Sequence, residues 1–279
     1  MNFDPRVTAA RPDLAAAALE GKVAAARFVA GEKRSVARGR APLHVAPSRD
    51  SGRETELLFG EIFTVYEDKD GWCWGQAERD LYVGYVHGSF LGEMVVVNAR
   101  VSGLMTPLLP ACDVKTVAYD MLPLNALVKV EMRKTGFARL AGGGHVSERH
   151  LAPLDVFAAD WVAVAERFIG VPYLWGGKTQ AGLDCSGLIQ TALQAAGMSC
   201  PRDTDMQEKA LGKAMPVDGT VKRGDLIFWK GHVGVMRDQS QLLHANAFHM
   251  QVACEPLADA LARIEKAAGP VTSVRRLSD

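Results

Sequence analysis

One cysteine and two histidines, Cys185, His232 and His244, carry the chemistry this sequence can do. Cys185 lies in Asp184-Cys185-Ser186-Gly187, directly after a glycine-rich aromatic loop and at the first turn of an expected helix. An ordinary thiol has a pKa of about 8.5. The unpaired N–H groups and positive dipole end of a helix start favour its thiolate. His232 stands in Gly231-His232-Val233-Gly234-Val235 and His244 in Leu242-Leu243-His244-Ala245-Asn246, 12 residues on. The polar run from Arg237 to Gln241 between them suits a hairpin connection. Both positions are even, so strand alternation turns both rings to one side. In such a set His232 takes the thiol proton and later passes one to a leaving amine. His244 bonds the other ring nitrogen and fixes the tautomer.

A metal is the other use of such a set. No fourth ligand has suitable spacing, so neither metal nor organic cofactor is expected. Cys73, Cys112, Cys200 and Cys254 lack a helix-start setting and read as small apolar fillers.

The elements that must position these groups form a third region, from about residue 155. Phe157, Trp161, Val164 and Phe168 have helical spacing, and Gly170-Val171-Pro172 stops the run. A second helix is expected over 186–196, ended by Gly197. Strands are expected at 224–229, 232–236, 242–247 and 250–255. A helix near 257–268 and a strand at 271–277 follow. Helices followed by an antiparallel sheet indicate an α+β domain over 155–279.

The preceding residues divide into three parts. Residues 1–35 read as an N-terminal helical arm, with an alanine-rich helix over 13–30. Residues 36–96 carry short strands with turn residues every 8–12 positions, the pattern of a small barrel. Residues 97–154 repeat that plan. Gly60 to Val65 aligns with Asn125 to Val130 at a shift of 65, and Gly71-Trp72 falls on Gly136-Phe137. After a hairpin five residues shorter, Tyr85-Val86 falls on His145-Val146 and Leu91 on Leu151.

Composition bounds the class. The 279 residues suffice for about two domains. Hydrophobic residues make up 48% and charged residues 23%, with zero formal net charge, so nothing favours nucleic acid or an anionic membrane. Five cysteines without a CxxC pair argue against a disulfide framework. The start, Met1-Asn2-Phe3-Asp4-Pro5-Arg6, lacks a signal-peptide pattern, and no apolar run approaches a membrane span, so a cytoplasmic location is expected.

The motifs together resemble a known family. Pro172-Tyr173-Leu174-Trp175-Gly176-Gly177, Asp184-Cys185-Ser186-Gly187, Gly224-Asp225-Leu226-Ile227-Phe228, His232-Val233-Gly234-Val235 and His244-Ala245 look like the NlpC family of papain-like cysteine peptidases. The first barrel resembles a bacterial SH3 (SH3b) domain. Its Gly71-Trp72 pair and its Tyr82-Val83-Gly84-Tyr85-Val86 ending carry that likeness, although Leu81 and Tyr85 depart from the family pattern. The arrangement is similar to SH3b-containing γ-D-glutamyl-L-diamino-acid endopeptidases.

This resemblance implies Cys185 as nucleophile, His232 as base and His244 as third polar residue. The Cys185 N–H, with Tyr173, would stabilise the oxyanion. Trp175, Asp184, Ser186, Asp203 and Thr204 would line the substrate site, Arg202-Asp203-Thr204 matching the family's Arg-Asp-Ser. Glu61 and Tyr82 would add contacts from the first barrel. The expected substrate is a cell-wall peptide with free N-terminal L-alanine, met during recycling, and no obligatory protein partner is implied. Two alternatives remain: another thiol amidase or acyltransferase on this fold, or a non-catalytic peptide-binding protein carried by the barrels.

Overall fold

Short strands between residues 32 and 92 form a seven-stranded antiparallel sheet in the computed structural model, which describes residues 3–217 and 219–277. Its order is Arg53–Leu58, Arg40–His44, Val83–His87, Trp72–Ala77, Ile62–Lys69, Glu32–Val36 and Leu91–Gly92. Phe63 and Val65 alternate with half-exposed neighbours, so one face of their strand turns inward. There they pack with Val36, Leu43, Leu57, Cys73, Tyr82 and Val86.

Residues 99–153 build three smaller antiparallel sheets around Val101, Leu122, Val128, Leu140 and Val146. Local conformations recur between the two sets. Asp70-Gly71 and Thr135-Gly136 both take left-handed backbone at a hairpin tip, as do Gly60 and Asn125 before the corresponding strands. A 3-10 turn followed by a short strand closes each set, at Gly88–Phe90 and again at Glu148–His150.

The N-terminal segment is not the expected helix. Ala15–Ala16 pairs in parallel with Phe28–Val29, and only Ala17–Leu19 makes a 3-10 turn. Helix propensity is a weak prior that tertiary burial overrides. An extended path buries Leu14 and Ala16 against Trp74, and the Ala15 N–H donates to the Arg27 carbonyl. Arg11 seals the contact, its guanidinium 4.4 Å from the Trp74 ring centre and bonded to Glu67 and Tyr85 at 2.8 Å.

A second unit begins at Asp155. Its helices are α1 (Trp161–Glu166), α2 (Cys185–Ala195), α3 (Thr204–Ala210) and α4 (Leu257–Ala268). Its main sheet comprises β1 (Lys213–Met215), β2 (Asp225–Trp229), β3 (His232–Met236), β4 (Gln241–Asn246), β5 (Gln251–Pro256) and β6 (Ser273–Arg276). The order β1-β6-β2-β3-β4-β5 is antiparallel throughout. α1 starts later than periodicity suggests, because Asp160 caps it by accepting from Val162 and Ala163 N–H groups at 2.8 and 3.0 Å. α4 lays Ala260 and Ile264 on a core of Ile227, Trp229, Met236, Leu242 and Val274.

Candidate active site

α2 is buried on nearly every side, with Leu188, Ile189, Ala192 and Leu193 fully covered. Its start is fixed by Asp184, which accepts from the Gly187 N–H at 2.7 Å. A second carboxylate bond, from the Gly176 N–H at 2.8 Å, ties the aromatic loop to the same residue. Gly187 has to be glycine: a Cβ there would lie 2.2 Å from the Gly177 carbonyl oxygen and 2.9 Å from Asp184 Oδ1. The close approach of loop and helix leaves Cys185 as the first helical residue, whose N–H has no intrahelical acceptor.

The Cys185 thiol is buried. Its sulfur lies 3.8 Å from Thr204 Oγ1 and 4.0 Å from the Gly231 carbonyl. Gly231, at φ +73°, lies in the two-residue link between β2 and β3, so the thiol sits against the peptide that precedes His232. No hydrogen bond joins it to the His232 ring in this conformation.

The thiol is held protonated, against the expectation of a thiolate favoured by the helix end. Burial, and then the Asp184 charge, push the thiol up to about 11. The Thr204 hydroxyl and the Val233 and Ser186 N–H groups act in the opposite direction without prevailing. Desolvation penalises the charged form more than the helix end rewards it.

The two histidines meet. His232 Nε2 and His244 Nδ1 are 2.8 Å apart. Register explains this: β3 and β4 pair through Val235 with Leu243, so the two rings are diagonal neighbours on one face. Burial, with Arg263 nearby, lowers His232 to about 4. Burial also lowers His244, helped by His232 and Arg263. Near neutral pH the site therefore holds a thiol and two uncharged rings.

Two residues not chosen from the sequence complete the surroundings. His244 Nε2 lies 2.7 Å from Glu255 Oε1, which also takes a bond from Arg263. Strand parity carries the signal for Glu255, since β5 pairs Ala253 with His244 and puts Glu255 two positions on, on the same face. Arg202 is 1% exposed and forks onto Asp184 at 3.0 and 2.5 Å while donating to Ser186 Oγ at 2.8 Å. Its signal was position, directly before Asp203-Thr204.

The expected substrate-lining residues separate into groups. Trp175 is 64% exposed beside the Cys185 loop. Tyr173 is half-buried, and burial, then Cys185 and Asp184, raise its hydroxyl, so it stays protonated and able to donate. Asp203 stands at the N-cap of α3, but its side chain makes no capping bond. Thr204 touches the thiol. Asp184 and Ser186 have their polar atoms committed to Arg202, to each other and to loop N–H groups, so they hold the loop. Glu61 and Tyr82 lie in the first unit. Glu61 is 2% exposed, pairs with Arg79 at 3.0 Å and accepts from the Leu58 N–H. Tyr82 is a core residue whose hydroxyl donates to Glu54 at 3.3 Å.

His244, His249 and Glu255 bring potential metal-ligating atoms within 4.8 Å of one another. The bond between His244 and Glu255 opposes a cation there, as does Arg263, whose guanidinium already claims the carboxylate. No helix among the described residues is long and apolar enough to cross a membrane.

The profile of the NlpC/P60 family matches residues 170–264. One described as a bacterial dipeptidyl-peptidase Sh3 domain matches residues 43–91. The gamma-D-glutamyl-L-lysine dipeptidyl-peptidase of Bacillus subtilis (strain 168) is 42% identical over 220 residues, covering 70% of this chain and 73% of that relative. The protein of the same description from Bacillus cereus (strain ATCC 10987 / NRS 248) is 31% identical over 158 residues, 53% of this chain and 44% of the relative. A solved NlpC/P60 family protein from Bacillus cereus ATCC 10987 has the same fold, with TM-score 0.73 at 19% identity over 88% of this chain and 99% of that one. A long relative at this identity and a family match spanning Cys185, His232 and His244 lead to one conclusion: the chain belongs to the NlpC/P60 family and is a cysteine peptidase, a papain-like α+β domain preceded by an SH3b domain.

Proposed function

We propose that the protein hydrolyses the γ-D-glutamyl-L-diamino-acid bond of peptidoglycan peptides. The observation that carries this reading is the bond between His232 Nε2 and His244 Nδ1, on a strand whose preceding Gly231 carbonyl lies 4.0 Å from the sulfur of a helix-start cysteine. The names of the two Bacillus relatives supply the bond, γ-D-glutamyl-L-lysine.

Cys185 Sγ attacks the γ-carbonyl of D-glutamate as its proton passes to Nδ1 of His232. A buried thiol and an uncharged ring support proton transfer during attack rather than a standing ion pair. The catalytic hydrogen bond tightens with substrate in place. The Cys185 N–H and the Tyr173 hydroxyl stabilise the oxyanion. His232 then gives its proton to the departing amine of the diamino acid. Water, activated by the same ring, cleaves the thioester and releases the acyl group.

The substrate carries a free N-terminal L-alanine. An ammonium needs a carboxylate, and Asp203, at the start of α3 next to the Thr204 that touches the thiol, supplies one; Trp175, exposed on the loop before Cys185, adds a wall. In intact wall the alanine nitrogen is acylated. A free-amine requirement therefore restricts the enzyme to detached peptides, which is recycling chemistry. Residues 97–154 form a second, divergent SH3b copy, supported by the left-handed turns that recur between the two sets.

Mass spectrometry of an L-Ala-γ-D-Glu-L-Lys digest tests this. Wild type releases L-Ala-D-Glu, and neither the Cys185→Ala variant nor an N-acetylated peptide gives product. An uncut peptide would point to another thiol amidase or acyltransferase.

A further inference from the structure

The described hydrogen bonds continue past the second histidine, from His232 to His244, then to Glu255 and Arg263. Glu255 is the last residue but one of β5, and Arg263 reaches it from α4. Arg263 is itself held, its guanidinium 4.3 Å from the Phe248 ring centre. Both His244 and Arg263 address the same oxygen, Glu255 Oε1.

We infer that Glu255 is a positioning residue that sets the tautomers of both histidines, and so makes Nδ1 of His232 the proton acceptor. This rests on the peptidase reading above. A carboxylate paired with a guanidinium only accepts, so His244 must present Nε2–H to it. An uncharged His244 then has a lone pair on Nδ1. That lone pair requires His232 to donate from Nε2, 2.8 Å away. An uncharged His232 protonated on Nε2 has its lone pair on Nδ1. One acceptor, fixed by Arg263, thus orders protons across two rings. Without it both rings can turn over together, and His232 Nδ1 would carry the hydrogen it must receive. Burial, which keeps both rings uncharged, is what makes this ordering strict.

The test uses the full chain, 15N spectra of the histidine side chains near pH 7, and steady-state kinetics on L-Ala-γ-D-Glu-L-Lys. Wild type should show His232 protonated on Nε2 and bare on Nδ1. Glu255→Leu removes the acceptor. Its kcat should fall on the order of 10²- to 10⁴-fold, the scale of a triad held in the wrong tautomer, with KM within about threefold of wild type. Glu255→Gln keeps an oxygen that Arg263 can hold in the Oε1 position, and should retain the tautomers and most of kcat. A wild-type spectrum with His232 protonated on Nδ1 overturns the inference. So does a Leu variant as active as wild type, or a Gln variant as impaired as the Leu one. The spectra need no substrate, so they decide the tautomer even if the tripeptide is not cut. A Cys185→Ala protein that cleaves normally sinks the peptidase reading instead. An inactive Cys185→Ala with a normal Glu255→Leu sinks only the role of Glu255.

Discussion

Arg202 and Asp184 form a buried forked ion pair directly beneath the cysteine, with guanidinium nitrogens at 3.0 and 2.5 Å from the two carboxylate oxygens. Asp184 caps the helix that Cys185 opens and holds the loop that carries Trp175. Its charge also disfavours the thiolate beside it. Arg202 offsets that charge where water cannot. The pair therefore joins three things the site needs: helix start, loop position and a tolerable local charge.

Breaking that pair should be costly. Arg202→Met leaves a carboxylate buried without its partner, a loss of about 3–5 kcal/mol when one member of a buried pair is removed. Arg202→Lys restores charge but not the fork, and should recover only part of it. Urea denaturation of the three proteins, read at the transition midpoint, measures the order wild type, Lys, Met. A Met variant as stable as wild type would show that the pair has no role in holding the loop.

Gly187→Ala tests the close approach of loop and helix. The added methyl would meet the Gly177 carbonyl and Asp184 Oδ1, and neither is the end of a flexible chain. Overpacking of this kind costs about 1–3 kcal/mol. The displaced loop should also lower kcat more than a distant surface substitution of equal instability. Thermal unfolding and tripeptide cleavage on the same preparation separate the two effects.

The pairing of the histidines was legible because alternation and hairpin spacing are local rules, and β3 and β4 obey them. The start of α2 was legible to within a residue for a similar reason, as it directly follows a glycine-rich loop, whereas Asp184 was expected to line the substrate site and not to cap the helix. Glu255 and Arg202 were not chosen because their roles depend on tertiary partners: an inter-strand register for one, and a carboxylate 18 residues earlier for the other. The thiolate expectation left burial out, since burial of Cys185 exists only once α2 is enclosed. The N-terminal segment misled for the opposite reason. Its alanines speak locally for helix, whereas its fate is decided by Trp74, about sixty residues away, which offers a surface to an extended chain.

Thr204 tunes the sulfur. Its hydroxyl, 3.8 Å from Sγ, is the foremost of the groups opposing the upward shift of Cys185. Thr204→Val keeps the shape and deletes that bond, so the thiol should titrate at still higher pH. The rate of iodoacetamide alkylation followed from pH 6 to 11 measures this. The wild-type curve should rise mainly on the alkaline side of pH 9, and the Val curve should lie further right. A wild-type plateau in acid would mean that a thiolate–imidazolium pair already exists in the free enzyme.

Stability should depend on pH through the same buried histidines. Folding lowers His232 from 6.5 to about 4. Above pH 6.5 the ring is neutral in both folded and unfolded chains, and its contribution is fully present. Between pH 6.5 and 4 the unfolded chain binds a proton that the folded one refuses, so stability falls as pH falls. Each such group contributes a slope of about 1.4 kcal/mol per pH unit inside its window. His244 shifts in the same direction and carries the loss to lower pH. His232→Gln cannot take up that proton in either state, so it should flatten the decline between pH 6.5 and 4 while abolishing cleavage. Urea midpoints at half-unit pH steps for wild type and His232→Gln measure the difference. Parallel curves would show that His232 is as easily protonated inside the fold as outside it, and the neutral resting site would have to be abandoned.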